Sequence, residues 1–121
     1  MVVLDASALL AYMRSEPGGQ IVRQQLGRGA VCGAANWAEV LQKTIQGGRD
    51  AITATETLMA FDLIIEPVTR ADAELAATMW ADHPSWSLAD RLCLALAHRL
   101  GAVALTADAA WGESDTIKQI R

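Results

Sequence analysis

Short apolar runs alternate along the chain with amphipathic segments of helical period. The clearest helix is predicted over 35–46, where apolar side chains recur every three or four residues until Gly47 and Gly48 end the pattern. Brief apolar runs between such segments are typical of buried strands. The pattern predicts strands at 2–5, 30–33, 63–68, 102–106 and 116–120, helices at 6–14, 20–26, 35–46, 51–61, from Thr69 and from Ser87 to Leu100, and a short turn or helix at 109–111.

Two of these helices begin with the sequence pattern of a capping box. Thr69 is followed three residues later by Asp72, and Ser87 is followed in the same way by Asp90. In this pattern the hydroxyl and the carboxylate each accept a hydrogen bond from a backbone N–H at the helix start. The two helix starts are therefore predicted on local chemistry as well as on periodicity.

Helical segments separate the predicted strands, which implies crossover connections and a mostly parallel sheet covered on both faces. Pro67, within 63–68, places that strand at an edge or marks its end. We therefore expect a three-layer α/β/α fold with a mostly parallel central sheet of four or five strands. The length of 121 residues and the 52% hydrophobic content suit one packed domain, 1–121.

The net charge of −4 argues against a protein that coats nucleic acid by bulk attraction to phosphate. It leaves nucleic acid open as a substrate, because an enzyme that holds cations with carboxylates carries local negative charge. Separate arginines, such as Arg14, Arg49 and Arg91, are candidates for phosphate contacts.

Neither the cysteines nor the histidines show the spacing of a metal site. Cys32 and Cys93 each lie in an apolar stretch and are predicted to be core residues. His83 and His98 are expected at the surface or on a helix flank. The chain shows no export signal and no apolar run long enough to cross a membrane, so we expect a cytoplasmic protein with no membrane partner.

Four acidic residues are predicted at the same edge of the sheet. Asp5 ends the first strand, and Asp108 follows the strand at 102–106. Glu39 and Asp90 lie in the opening turns of helices, and helices in crossover units begin at the carboxyl ends of the strands. Sites in parallel sheets lie at that edge. Asp5, Glu39, Asp90 and Asp108 are therefore candidates for one cluster.

Each acid also has a purely structural explanation. Asp5 and Asp108 suit helix or turn starts, Asp90 completes a capping box, and Glu39 is spaced to pair with Lys43. A cluster, however, would need compensation, since two like charges about 5 Å apart repel by about 3 kcal/mol at a dielectric constant near 20. Oxygen-only ligands favour Mg²⁺, Mn²⁺ or Ca²⁺ over zinc or copper.

Four segments of the chain resemble the motifs of the PIN-domain family, in particular its VapC-type toxins of toxin-antitoxin pairs. They are VVLDASALLAY at 2–12, NWAEV at 36–40, SLADRLCLALA at 87–97 and LTADAAW at 105–111. They follow the family's order over nearly the whole chain. Trp111 stands where the family often has Phe.

The resemblance implies an Mg²⁺-dependent endoribonuclease, with Mn²⁺ as an alternative ion. The family's acidic quartet falls on Asp5, Glu39, Asp90 and Asp108, which would be catalytic and metal-binding residues. Ser7 and Thr106 would support the carboxylates by hydrogen bonds.

The resemblance also implies protein partners. They are a cognate antitoxin and a second copy of the toxin in a homodimer. Apolar residues at 9–13, with Leu58, Met59 and Phe61, could supply interface surface, and core packing explains them equally well.

The sequence is also compatible with other functions. The chain could be a catalytically silent PIN-like module that only binds protein or RNA, or a nuclease that acts on DNA. A phosphatase or phosphoacceptor domain could use Asp5 as nucleophile, but dehalogenase-like phosphatases need a second Asp where this chain has Ser7.

Overall fold

Five strands and six α-helices alternate along the chain in the computed structural model, which describes residues 1–121. The longest helices have 13 residues, and none of the helices is both long and apolar enough to span a membrane. The strands are β1 Val2–Leu4, β2 Val31–Gly33, β3 Ile64–Glu66, β4 Val103–Thr106 and β5 Ile117–Gln119; the helices are α1 Ala6–Met13, α2 Gly19–Gly27, α3 Ala34–Gln46, α4 Ala51–Met59, α5 Arg70–Met79 and α6 Leu88–Leu100, with a 3₁₀ helix at Ala109–Trp111.

All strands of the sheet are parallel, in the order β3-β2-β1-β4-β5. Side chains alternate between its faces. Leu4 joins a core formed with α1 to α4, whereas its neighbour Val3 joins a core formed mainly with α6. The sheet therefore has helices on both faces, and the predicted three-layer α/β/α fold is confirmed.

The edge strands are shorter than the sequence pattern predicted. β3 ends at Glu66, directly before Pro67, and lies at one edge as expected for a strand limited by proline. β5, at the other edge, covers only 117–119 of the predicted 116–120. The interior strands of the sheet were easier to predict because their side chains are apolar on both faces.

Both predicted capping boxes are present. The Thr69 hydroxyl accepts from the Asp72 backbone N–H at 3.1 Å, and the Ser87 hydroxyl accepts from the Asp90 N–H at the same distance. In turn, the carboxylates of Asp72 and Asp90 accept from the backbone N–H groups of Thr69 and Ser87. Asp72 also pairs with Arg99, which holds the pKa of its carboxyl below the usual range despite an opposing contribution from burial.

The residues considered for a dimer interface are mainly core residues. Leu9 and Leu58 are fully buried, and Tyr12 packs edge-on against Phe61 within the chain at 5.8 Å between ring centroids. Packing inside the protomer, the alternative explanation, therefore accounts for them. Cys32 and Cys93 are free and buried, as predicted.

Two glycines with positive φ provide a test of the packing at the end of β5. Alanine in the left-handed region costs about 1–2 kcal/mol at either position. A Cβ on Gly18, at φ +89°, would lie 2.5 Å from the Ile120 carbonyl oxygen, whereas a Cβ on Gly29, at φ +90°, would meet nothing within 4 Å. We predict that Gly18→Ala lowers the free energy of unfolding by about 1–3 kcal/mol more than Gly29→Ala, because only the former overpacks. Urea denaturation of the two variants measures the difference, and equal losses would contradict the close approach.

Candidate active site

Asp5 lies where β1, β4 and α1 meet. Its backbone N–H donates to the Leu105 carbonyl at 3.2 Å, and its carboxylate caps α1 by accepting from the Ala8 N–H at 2.8 Å. Only 3% of the residue is exposed. The residue directly after a central strand thus carries a carboxylate that the fold removes almost completely from water.

Two hydroxyl groups hold this carboxylate. Ser7 Oγ lies 2.7 and 2.9 Å from the two oxygens of Asp5, and Thr106 Oγ1 donates to Oδ2. Each hydroxyl also accepts from the chain that follows β4, Ser7 from the Ala107 N–H at 2.9 Å and Thr106 from the Asp108 N–H at 3.0 Å. Because each hydroxyl oxygen accepts from a backbone N–H, its own proton is available for donation to Asp5. The hydrogen bonds expected of Ser7 and Thr106 are present.

Burial raises the pKa of Asp5 to about 6, against the lowering effect of its hydrogen bonds. The hydrogen bonds from Thr106, Ala8 and Ser7 favour the charged form, and the charge of Asp90 disfavours it further. No cationic side chain contributes to this pKa. Asp5 is therefore a desolvated carboxylate that lacks a compensating positive charge.

The charges of Glu39, Asp90 and Asp5 act on buried cysteine thiols in the same part of the core. All three carboxylates raise the pKa of the buried Cys93 thiol, although burial is the largest cause. Asp5 and Glu39 act in the same way on Cys32, again after burial. The structure thus brings three of the four predicted acids around one part of the core below the carboxyl edge.

Asn36 connects the helices that carry Glu39 and Asp90. It is 2% exposed, and its Nδ2 donates to the Ala89 carbonyl at 3.2 Å, which joins the first turn of α3 to the first turn of α6. Sequence reasoning did not single out this residue. The available signal was a polar side chain placed three residues before Glu39, at a position that faces the core.

Asp108 lies at the same edge but is the most separate of the four acids. Its side chain is exposed and accepts from the Ala110 N–H at 3.0 Å, which caps the 3₁₀ helix. Its connection to Asp5 runs through Thr106, which accepts from the Asp108 backbone. The carboxylate of Asp108 is absent from the charges that shift the pKa of Asp5.

The structural roles considered for single acids are also present. Glu39 pairs with Lys43 at 3.0 Å, and Asp90 accepts from the Ser87 N–H at 3.0 Å. As the side chains stand, no three His, Cys, Asp or Glu residues are close enough together to hold one ion. The donor types nevertheless fit Mg²⁺ or Mn²⁺, since every candidate ligand is an oxygen and the buried carboxylate of Asp5 has no cation beside it.

The arginines considered for phosphate contacts are not free at this edge. Arg91 donates to the carbonyls of Trp86 and Ala76, and these bonds hold the loop between α5 and α6. Arg14 and Arg49 follow the ends of α1 and α3, helices that begin at the carboxyl edge and run away from it. The structure therefore does not support phosphate contacts by these residues.

The family model of the PIN domain matches residues 2–115. The chain belongs to the PIN domain family, which confirms the resemblance inferred from its motifs. Comparison of the sequence with curated proteins finds no match.

Solved structures of toxin-antitoxin proteins share the fold. A toxin-antitoxin complex from Klebsiella pneumoniae aligns with a TM-score of 0.79 and 14% identity, covering 100% of this chain and 98% of the other. The sarcin-ricin-loop-cleaving toxin VapC20 of Mycobacterium tuberculosis aligns with a TM-score of 0.74 and 16% identity, covering 95% and 98%. VapBC2 of Rickettsia felis, bound to a promoter DNA fragment, gives 0.75 and 11%, covering 98% of both chains. At these identities the likeness is one of fold.

The raised pKa of Asp5 makes the stability of the metal-free protein depend on pH. The folded protein keeps the Asp5 proton up to about pH 6, whereas the unfolded chain loses it near pH 4. Asp5 therefore lowers stability as pH rises through this window, by up to about 3 kcal/mol. We predict that Asp5→Asn stabilises the metal-free protein at pH 7.5 and has little effect at pH 4.5.

Urea denaturation of both proteins in EDTA at the two pH values tests this prediction. Asparagine caps helices as well as aspartate does, so the bond to Ala8 is retained in the variant. The same difference in stability at both pH values would show that Asp5 does not carry a raised pKa.

Proposed function

We propose that this protein is an Mg²⁺- or Mn²⁺-dependent endoribonuclease that acts as the toxin of a type II toxin-antitoxin system. The observation that carries the proposal is Asp5, a buried carboxylate of raised pKa held by Ser7 and Thr106 at the carboxyl end of a central strand. Perturbed carboxylates of this kind cluster at functional sites. Membership of the PIN domain family supports this chemistry, and residues 1–121 would act as one nuclease domain.

Asp5, Asp90 and Asp108 would hold the ion, with Glu39 as a further ligand or as the group that orients water. A bound divalent ion supplies a water of lowered pKa and positive charge at the scissile phosphate. Asp90 and Asp108 make single capping contacts near the surface, so their side chains can turn towards Asp5 at modest cost.

The remaining residues hold this arrangement in place. Ser7 and Thr106 fix both oxygens of Asp5, which keeps one carboxylate in a set orientation while the others adjust. Asn36 keeps the helices of Glu39 and Asp90 together. Lys43 pairs with Glu39, whose side chain is 31% exposed and therefore accessible to water. The chain thus combines one rigid ligand with several mobile ones.

The toxin role is supported by structures of similar fold. One is named as part of a toxin-antitoxin complex and another as a toxin that cleaves the sarcin-ricin loop. A VapC-type toxin would have an antitoxin that covers the acids, and would form a homodimer in the cytoplasm. Exposed apolar residues such as Ile45 and Ile52, 61% and 69% exposed, offer more surface for such partners than the buried Leu9 and Leu58.

Removal of the Asp5 charge provides the central test of the activity. We predict that Asp5→Asn lowers Mg²⁺-dependent RNA cleavage by at least about 100-fold, because the least mobile ligand loses its charge. Asp50→Asn is the matched control. Asp50 also caps a helix, since it accepts from the Ile52 N–H at the start of α4, but it is not one of the four acids of the candidate site.

Cleavage rates with a single-stranded RNA, measured with and without EDTA, decide the outcome. Full activity of Asp5→Asn would remove the proposed site. A wild type that binds RNA or protein but never cleaves would instead indicate the silent binding module.

The products distinguish attack by water from attack by the RNA itself. We predict 5′-phosphate and 3′-hydroxyl ends, because water activated at a carboxylate-bound ion does not need the 2′-hydroxyl. A 2′-O-methyl group at the cleaved nucleotide should therefore leave measurable cleavage. Mass spectrometry of the fragments identifies the ends, and a 2′,3′-cyclic phosphate would contradict this chemistry.

A further inference from the structure

A groove on the α6 face of the sheet runs from the loop before α6 and the 3₁₀ helix towards the starts of β4 and β5, and takes no part in the chemistry proposed above. Its volume is about 680 Å³, within the range of about 300–1,000 Å³ typical of ligand sites. Rings of His83, Trp86 and Trp111 line it, and we call it the aromatic groove. Three of the four tryptophans of the chain, Trp80, Trp86 and Trp111, lie in or near this part of the fold.

Two tryptophans of the aromatic groove stand next to residues of the candidate active site along the chain. Trp86 directly precedes Ser87, whose hydroxyl and backbone form the capping box with Asp90. Trp111 ends the 3₁₀ helix that Asp108 caps. A strand of nucleic acid with a phosphate at the carboxylates would therefore have a neighbouring nucleotide near the groove.

The ring of His83 lies flat on Trp86. Their centroids are 3.6 Å apart and their planes differ by 2°, which is how a nucleobase stacks on an indole. His83 is exposed and belongs to the loop between α5 and α6, so its ring is held by little besides this contact. The imidazole occupies the place that a planar heteroaromatic ligand would take.

Trp111 carries an unused hydrogen-bond donor. The residue is 5% exposed, and its buried Nε1 has no partner. Such a donor is costly to leave unpaired. Trp111 lines the groove at 6.1 Å from Trp86 between ring centroids, so an acceptor on the edge of a ligand stacked there could meet it.

The charge of the groove decides which part of a nucleic acid it can take. Asp82 and Asp115 line it, and no Lys or Arg does. Phosphate is therefore repelled, whereas an uncharged, planar base with hydrogen-bonding edges is compatible with the aromatic faces and the carboxylates.

We propose that the aromatic groove binds one unstacked base of single-stranded RNA, which stacks on Trp86 in the place of His83 while the neighbouring phosphate lies at the carboxylates. The proposal rests on the nuclease function stated above and adds a base-binding subsite to it. Bases in a duplex are already stacked and paired, so the site selects single strands and loops.

Replacement of Trp86 tests the base site against a matched tryptophan. Trp86→Ala should raise KM for a short single-stranded RNA by about tenfold with little change in kcat, since base stacking contributes mainly to binding. Trp80→Ala is the control, because Trp80 is 58% exposed near the same loop but does not line the groove. Trp86→Phe should restore most of the binding, and His83→Ala should leave KM unchanged or lower.

An RNA that lacks one base identifies the nucleotide. Abasic substitution at the nucleotide that enters the groove should raise KM for the wild type as much as Trp86→Ala does, and should have no further effect on that variant. The proposal would be overturned if the effects of every abasic substitution and of Trp86→Ala on KM were additive. It would also be overturned if Trp86→Ala and Trp80→Ala raised KM equally.

Binding without cleavage separates this proposal from the nuclease function. In the Asp5→Asn protein with Mg²⁺, which cleaves too slowly to consume the RNA during the measurement, the same RNA should quench tryptophan fluorescence, and Trp86→Ala should remove most of that quenching. A wild type that cleaves RNA while this Trp86-dependent binding is missing overturns the base site alone. If Trp86→Ala instead abolishes binding of a protein partner and leaves RNA binding intact, the groove is a protein site and the proposal is wrong.

Discussion

The burial of one carboxylate, that of Asp5, is the constraint on which the rest of the site depends. The parallel pairing of β1 with β4 places Asp5 beside Thr106, and the tight entry into α1 brings Ser7 back over the same carboxylate. Both hydroxyls are in turn held by backbone N–H groups after β4. The network therefore forms only when β1, α1 and β4 are assembled, which joins formation of the site to formation of the central sheet.

Sequence patterns predicted the interior of the fold better than its edges. The apolar runs of β1, β2 and β4 and the two capping boxes were legible because each is specified by neighbouring residues. The limits of β3 and β5 depend on how far a partner strand extends, which local patterns do not encode. The surface around 9–13 and Leu58 was ambiguous for a related reason, since an apolar face alone does not show whether it packs within the chain or against another copy.

The site was predictable in position but not in detail. Parallel strands and the direction of crossover helices predicted Asp5, Glu39, Asp90 and Asp108 near one edge of the sheet, because parallel topology fixes where loops and helix starts lie. Which way each side chain points depends on competing contacts, as the pairing of Glu39 with Lys43 shows. The bond from Asn36 to the Ala89 carbonyl joins residues distant in sequence, so periodicity alone could not have revealed it.

The capping contacts of the acids and a role in binding an ion are not exclusive alternatives. A carboxylate at a helix N-terminus is stabilised by the helix dipole and by N–H donors, and this stabilisation does not require a neighbouring cation. Asp90 and Asp108 are held in this way near the surface, whereas Asp5, which caps α1, is almost completely buried. In the metal-free protein, helix starts thus provide partial compensation for the clustered charge. A divalent ion would add what the helix starts cannot supply, a full positive charge beside the desolvated carboxylate.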